Sequence, residues 1–85
     1  MPNQRVVVTL PYEGKGNESE ITYEPPIKQG TLTEHDASLR LLFAGNARSY
    51  QSRNPINGIS TPLGRFDLTE IRSLPNGQRF VYTQR

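Results

Sequence analysis

Apolar and polar residues alternate in three stretches of the chain, and each alternation predicts a strand. Residues 4–10 read QRVVVTL. Val6, Val8 and Leu10 share one face of such a strand, and Arg5, Val7 and Thr9 share the other. β-branched residues on both faces predict a central strand, closed by Pro11. Residues 19–24, SEITYE, put Ile21 and Tyr23 on one side and Glu20, Thr22 and Glu24 on the other. That pattern predicts a half-buried strand returning along the first, ended by Pro25-Pro26, which have no amide donors.

The third stretch, 65–85, predicts a β-hairpin around Leu74-Pro75-Asn76-Gly77. Pro suits the first corner of a type I turn, and Gly77 suits a closing position at positive φ, giving a three-residue loop with a glycine bulge. Leu74 then pairs with Gln78, Arg72 with Phe80, Ile71 with Val81, Glu70 with Tyr82 and Thr69 with Thr83. One face carries Leu68, Glu70, Arg72, Leu74, Phe80 and Tyr82. The other carries Thr69, Ile71, Ser73, Arg79, Val81 and Thr83. Both faces mix apolar and charged residues, so a slip of one residue would exchange them at little cost. Leu68, Ile71 and Leu74 are also spaced by three, which competes as a short helix over 67–74.

One helix is expected between these elements, over about 34–44. Thr33 offers a cap with Asp36 three residues on, Leu32 and Ala37 occupy staple positions, and Gly45-Asn46 offers a C-terminal stop. Ala37, Leu41 and Ala44 form its apolar stripe, with Leu42 beside it. Leu39, Leu41 and Phe43 also alternate with polar residues, so a strand competes there. The connection over 12–18 is rich in Gly and reads as a mobile turn; Gly14-Lys15-Gly16 lacks the Ser/Thr and the following helix of a phosphate loop. Residues 46–64 lack any sustained period and read as a 19-residue loop with a short hairpin about Asn57-Gly58. A solvated linker tethered by Ile56 and Ile59 is the plainer alternative.

These elements add up to a single domain over 1–85 of the α+β class, mainly β. The expected form is a small antiparallel sheet or barrel of about four strands with one covering helix. Leu, Ile, Val and Phe make up 20 of the 85 residues, a thin core for a chain that buries only about 60–65% of its unfolded surface. Thin cores of this kind are often completed by self-association, so a homodimer or larger assembly is expected. There is no cysteine, hence no disulfide framework or thiolate metal site. No apolar run reaches the ~20 residues of a membrane span, and the opening residues lack a secretory pattern. The expected location is cytoplasmic.

Charge adds an asymmetry. Residues 1–44 hold four basic side chains against six acids, and residues 45–85 hold six arginines against Asp67 and Glu70, a net of −2 and +4. Arginine makes forked contacts to anions, unlike the point charge of lysine. No nucleophile–base pair, carboxylate pair or ligand spacing accompanies the lone His35, so neither catalysis nor a metal or other cofactor is expected. The expectation is a non-enzymatic binding protein for an anionic partner, a nucleic acid or nucleotide. Arg48, Tyr50, Arg53, Arg72, Arg79, Phe80 and Tyr82 would bind it by phosphate contacts and base stacking. A protein-interaction module (an inhibitor, adaptor or assembly subunit) is the alternative, since Arg and Tyr also dominate protein hot spots. The length and composition would suit a phage or mobile-element accessory protein.

Overall fold

The computed structural model describes residues 3–12, 19–26 and 29–85, with the backbone alone for 29–34. The element order is β1 (Arg5–Pro11), β2 (Glu20–Glu24), α1 (Gln29–Gln51), β3 (Gly58–Thr61), β4 (Gly64–Leu74) and β5 (Gly77–Gln84). The strands form one antiparallel sheet in the order β2-β1-β5-β4-β3. The α+β, mainly β class is as expected; the sheet is open and has five strands, not four. β1 is central, with Val6, Val8 and Leu10 buried on the helix side. Gly14-Lys15-Gly16 lies outside the described residues.

α1 covers one face of the sheet. It runs past Gly45-Asn46 to Gln51, seven residues beyond the expected end. Gly45 does not act as a stop, because Asn46 is needed inside: its side chain is buried and accepts a 2.6 Å hydrogen bond from the Tyr82 hydroxyl. The real stop comes at Ser52-Arg53-Asn54. Arg53 N–H donates to Tyr50 O at 3.0 Å and Asn54 N–H to Ser49 O at 2.8 Å. These are the two bonds of a Schellman motif, and they place Arg53 in the left-handed position at φ 66°. Glycine usually holds that position, so an arginine there leaves no sequence signal.

The buried stripe of α1 is Leu39, Phe43 and Ala47, with Tyr50 packed against it. Successive spacings of four, four and three keep them on one side of the helix. The expected stripe was wrong: Ala37 is exposed, Leu41 is 77% exposed and Leu42 38%. Phe43 sets the depth of the core, its ring 5.2 Å from both Phe66 and Tyr82. At the other end of the helix, Gln51 Nε2 donates to Pro11 O at 3.1 Å and to Gln78 Oε1 at 3.2 Å. Tyr50 meets Phe80 edge to face at 5.9 Å.

The C-terminal hairpin differs from expectation in two ways. Its loop has two residues, so Leu74 pairs with Gly77, Ser73 with Gln78, Arg72 with Arg79, Ile71 with Phe80 and Glu70 with Val81. Gly77 is not at positive φ; among the described residues only Arg53 and Gly64 are. Its glycine is needed for another reason: a Cβ there would strike the Leu10 carbonyl of the neighbouring strand. The second difference is a bulge between Leu68 and Glu70, where Thr69 has no counterpart on β5. The extra residue switches the alternation. Phe66, Leu68, Ile71 and Ser73 therefore share the helix side, while Asp67, Glu70, Arg72 and Leu74 share the opposite side. The spacing of three between Leu68 and Ile71 is this bulge and not a helix.

The stretch 46–64 is not one long loop. Residues 46–51 finish α1 and 58–61 are β3. Asn57-Gly58 opens β3 instead of forming a turn. The turn lies at Pro62-Leu63, followed by Gly64 at φ 120°. Thr61 Oγ1 closes it, donating to Gly64 O at 2.8 Å and accepting from Leu63 N–H at 3.0 Å.

Candidate functional site

The pairings and the bulge determine what the helix-free side of the sheet carries. Reading across the strands, one row is Glu24, Arg5, Thr83, Asp67 and Gly58. The next is Thr22, Val7, Val81 and Glu70, and a third is Glu20, Thr9, Arg79 and Arg72. Arg65 and Ser60 continue the face beyond the first row. The strands thus contribute four arginines and four carboxylates to this face. Val81, only 2% exposed, forms its floor. Thr69 Oγ1 donates to Val81 O at 3.2 Å and lies 2.8 Å from Thr83 Oγ1.

Most of these charges meet each other. Arg5 lies 4.0 Å from Glu24, Arg65 3.8 Å from Asp67, and Arg79 3.8 Å from Glu70. Arg85, just past β5, donates to Asp67 at 2.6 Å. Exposed pairs of this kind contribute little to stability, about 0–1 kcal/mol each. What they do is cancel charge locally. Arg72 is the exception: it sits directly across from Arg79 and makes no ion pair among the described residues. Two like charges directly opposite are unfavourable for a sheet. Next to this pair, an open concavity of about 560 Å³ is lined by Thr9, Pro11, Glu20, Leu74, Pro75 and Gly77.

The seven residues expected to bind divide among three places. Arg72 and Arg79 come together on the helix-free face. Arg48 and Tyr50 lie near the end of α1, in the other layer; Arg48 is exposed and Tyr50 half-buried. Arg53 follows at the helix stop and is exposed. Phe80 and Tyr82 are fully buried in the core, so neither offers a ring for stacking. Burial pushes the Tyr82 hydroxyl well above the usual tyrosine range. The acids Glu20, Glu24, Asp67 and Glu70 belong to the same face but were not singled out from the sequence. Their signal was available in the alternation of β2, whereas the bulge hid it in β4.

His35 lies in the second turn of α1, half-buried. Among the described residues no three His, Asp or Glu side chains gather as metal ligands, and no helix is long and apolar enough to cross a membrane. The chain matches no protein-family model, no curated protein and no solved structure.

Proposed function

We propose that this protein is a small non-enzymatic docking module that engages another protein across the helix-free face of its sheet. An acidic side chain of that partner sits on Arg72 and Arg79. The observation that carries this reading is the juxtaposition of those two arginines on a face that is otherwise charge-balanced. An interface core selects against charge except where a partner group answers it. A carboxylate placed between the two guanidiniums would relieve their repulsion and accept forked hydrogen bonds from both.

The mosaic also bears on the choice between a protein and a nucleic acid. A phosphate backbone presents one sign of charge throughout, and four carboxylates on the face would oppose it. A protein surface can answer a mosaic with its own mosaic, which gives specificity more than raw affinity. With Phe80 and Tyr82 inside, the aromatic platform that single-stranded nucleic acid needs is missing from this face. The cysteine-free composition fits a cytoplasmic setting for such a module.

The test uses Arg72→Glu. A glutamate there faces Arg79 and replaces a repulsive cross-strand pair by an attractive one, so the fold keeps its melting temperature or gains slightly. Recovery of a binding protein from source-cell lysate on the immobilised chain should fall at least tenfold. Arg53→Asn, in the other layer, should leave recovery unchanged. Recovery that is indifferent to Arg72→Glu removes the arginine pair from the interface. Tight binding of a 20-nucleotide single strand by the wild type at physiological salt would favour the nucleic-acid reading instead.

A further inference from the structure

The two edges of the sheet are not alike. The β2 edge is guarded. Glu20 and Glu24 flank it, Pro25-Pro26 follow it, and the Tyr23 hydroxyl lies 3.5 Å from Asp36 of α1. Charged residues and prolines are the usual devices that stop a sheet edge from pairing with another chain. The β3 edge has fewer of them. From Asn54 to Leu63 the sequence is NPINGISTPL, ten residues without a charge in a chain that is 21% charged. The prolines stand at 55 and 62, outside the strand.

The hydrogen bond from Leu68 N–H to Asn57 O, 2.7 Å, fixes which residues of β3 face outward. In an antiparallel pair, hydrogen-bonded and non-bonded positions alternate. Asn57, Ile59 and Thr61 therefore turn their backbone groups to β4. Gly58 and Ser60 turn theirs to the open edge. No strand of the described residues pairs with them.

We infer that the β3 edge is where a second copy of this chain adds, antiparallel, to form a ten-stranded sheet. The register follows from the outward positions. Gly58 pairs with the partner's Ser60, Ser60 with the partner's Gly58, and Ile59 crosses the partner's Ile59 on the two-fold axis. Four backbone hydrogen bonds close this junction, and no charge opposes itself across it. A two-fold normal to the sheet keeps both helices on one side, so the two helix-free faces merge into one surface. The β2 edge does not self-pair so well, because its antiparallel doubling would bring Glu20 and Glu24 into proximity with their own copies. A second copy is preferred to a foreign extended segment because one neutral edge satisfies both sides. The inference stands whatever occupies the helix-free face. With strands of four residues, the interface falls in the small, transient class.

Native mass spectrometry and sedimentation, over roughly 1 µM to 1 mM, should show a monomer–dimer equilibrium. Ser60→Pro removes an N–H that points outward and leaves the ladder to β4 intact, since proline is accepted on an edge strand. It should raise the dissociation constant at least tenfold with an unchanged circular dichroism spectrum. Ile59→Cys supplies the only thiol in the chain, and mild oxidation should convert it to a cross-linked dimer, because facing non-bonded positions bring Cα atoms within about 4.5 Å. Ile21→Cys, on the guarded edge, should cross-link much more slowly. A wild type that is monomeric throughout overturns the inference. So does dimerisation indifferent to Ser60→Pro, or equal cross-linking of the two cysteine variants. The cysteine comparison decides the matter if Ser60→Pro does not fold.

Discussion

The two faces of this sheet do different work. The helix side holds Val6, Val8, Leu10, Phe66, Phe80 and Tyr82, all essentially inaccessible, under Leu39, Phe43 and Ala47 of α1. Burying each large side chain is worth roughly 1.5–3 kcal/mol. The helix-free side holds threonines, the floor of Val81 and the charge mosaic, whose pairs are worth far less. A domain of 85 residues that draws its stability from one face leaves the other face free to change. Mutation there alters what the protein meets more than whether it folds.

Three substitutions would sharpen or break this contrast. The largest effect is expected from Phe43→Ala, which empties the space between Phe66 and Tyr82 and should cost about 3–5 kcal/mol. Urea denaturation should show most of the stability gone. A cost under about 1 kcal/mol would mean that α1 is not the lid that holds the core.

Tyr82→Phe comes next. It leaves Asn46 Oδ1 without its 2.6 Å donor, in addition to Asn46 Nδ2, which has no partner in the buried site. The expected loss is about 1–3 kcal/mol. The same substitution has a signature in pH. The folded-state pKa of Tyr82 is raised by burial, so its contribution is complete below the unfolded value of about 10 and is lost as pH climbs above it. Tyr23 shifts in the same direction, from burial first and then the charge of Asp36. Tyr82→Phe should therefore flatten, without abolishing, the fall in stability measured between pH 9 and about 11. An alkaline profile identical to wild type would show that the hydroxyl is hydrated.

The smallest effect belongs to the other face. Glu70→Gln removes the partner of Arg79, at 3.8 Å between two partly exposed side chains. The expected change is within about 0.5 kcal/mol, read from the same denaturation midpoints. If it costs as much as Tyr82→Phe, the two faces are not so different after all.

Much of the fold could be read from residue order alone, and the misses have local causes. The alternation in β1 and β2 was visible because both strands run without interruption. Gly45-Asn46 imitated a helix stop, but the demand of Tyr82 for a buried acceptor outweighed the local preference. The true stop uses an arginine where glycine is the recognisable residue. In the hairpin, the turn sequence was legible and the register was not: Gly77 answers the approach of Leu10, which no local pattern reveals. The candidate site was harder still. Counting arginines by position along the chain missed that β2 and β4 place Glu24, Glu70 and Asp67 beside them. Only strand pairing reveals that cancellation, and the arginine left over, Arg72, emerges from it.

Thr69 is the residue that β5 does not answer. A chain one residue shorter at that point would keep Phe66 and Leu68 inside as before, and Ile71 would still follow on the same side. Losing any neighbour beyond the bulge instead would turn the remainder of the ribbon inside out. The hairpin therefore tolerates a change of length at one place only, and relatives of this protein that differ in length within this strand should differ there.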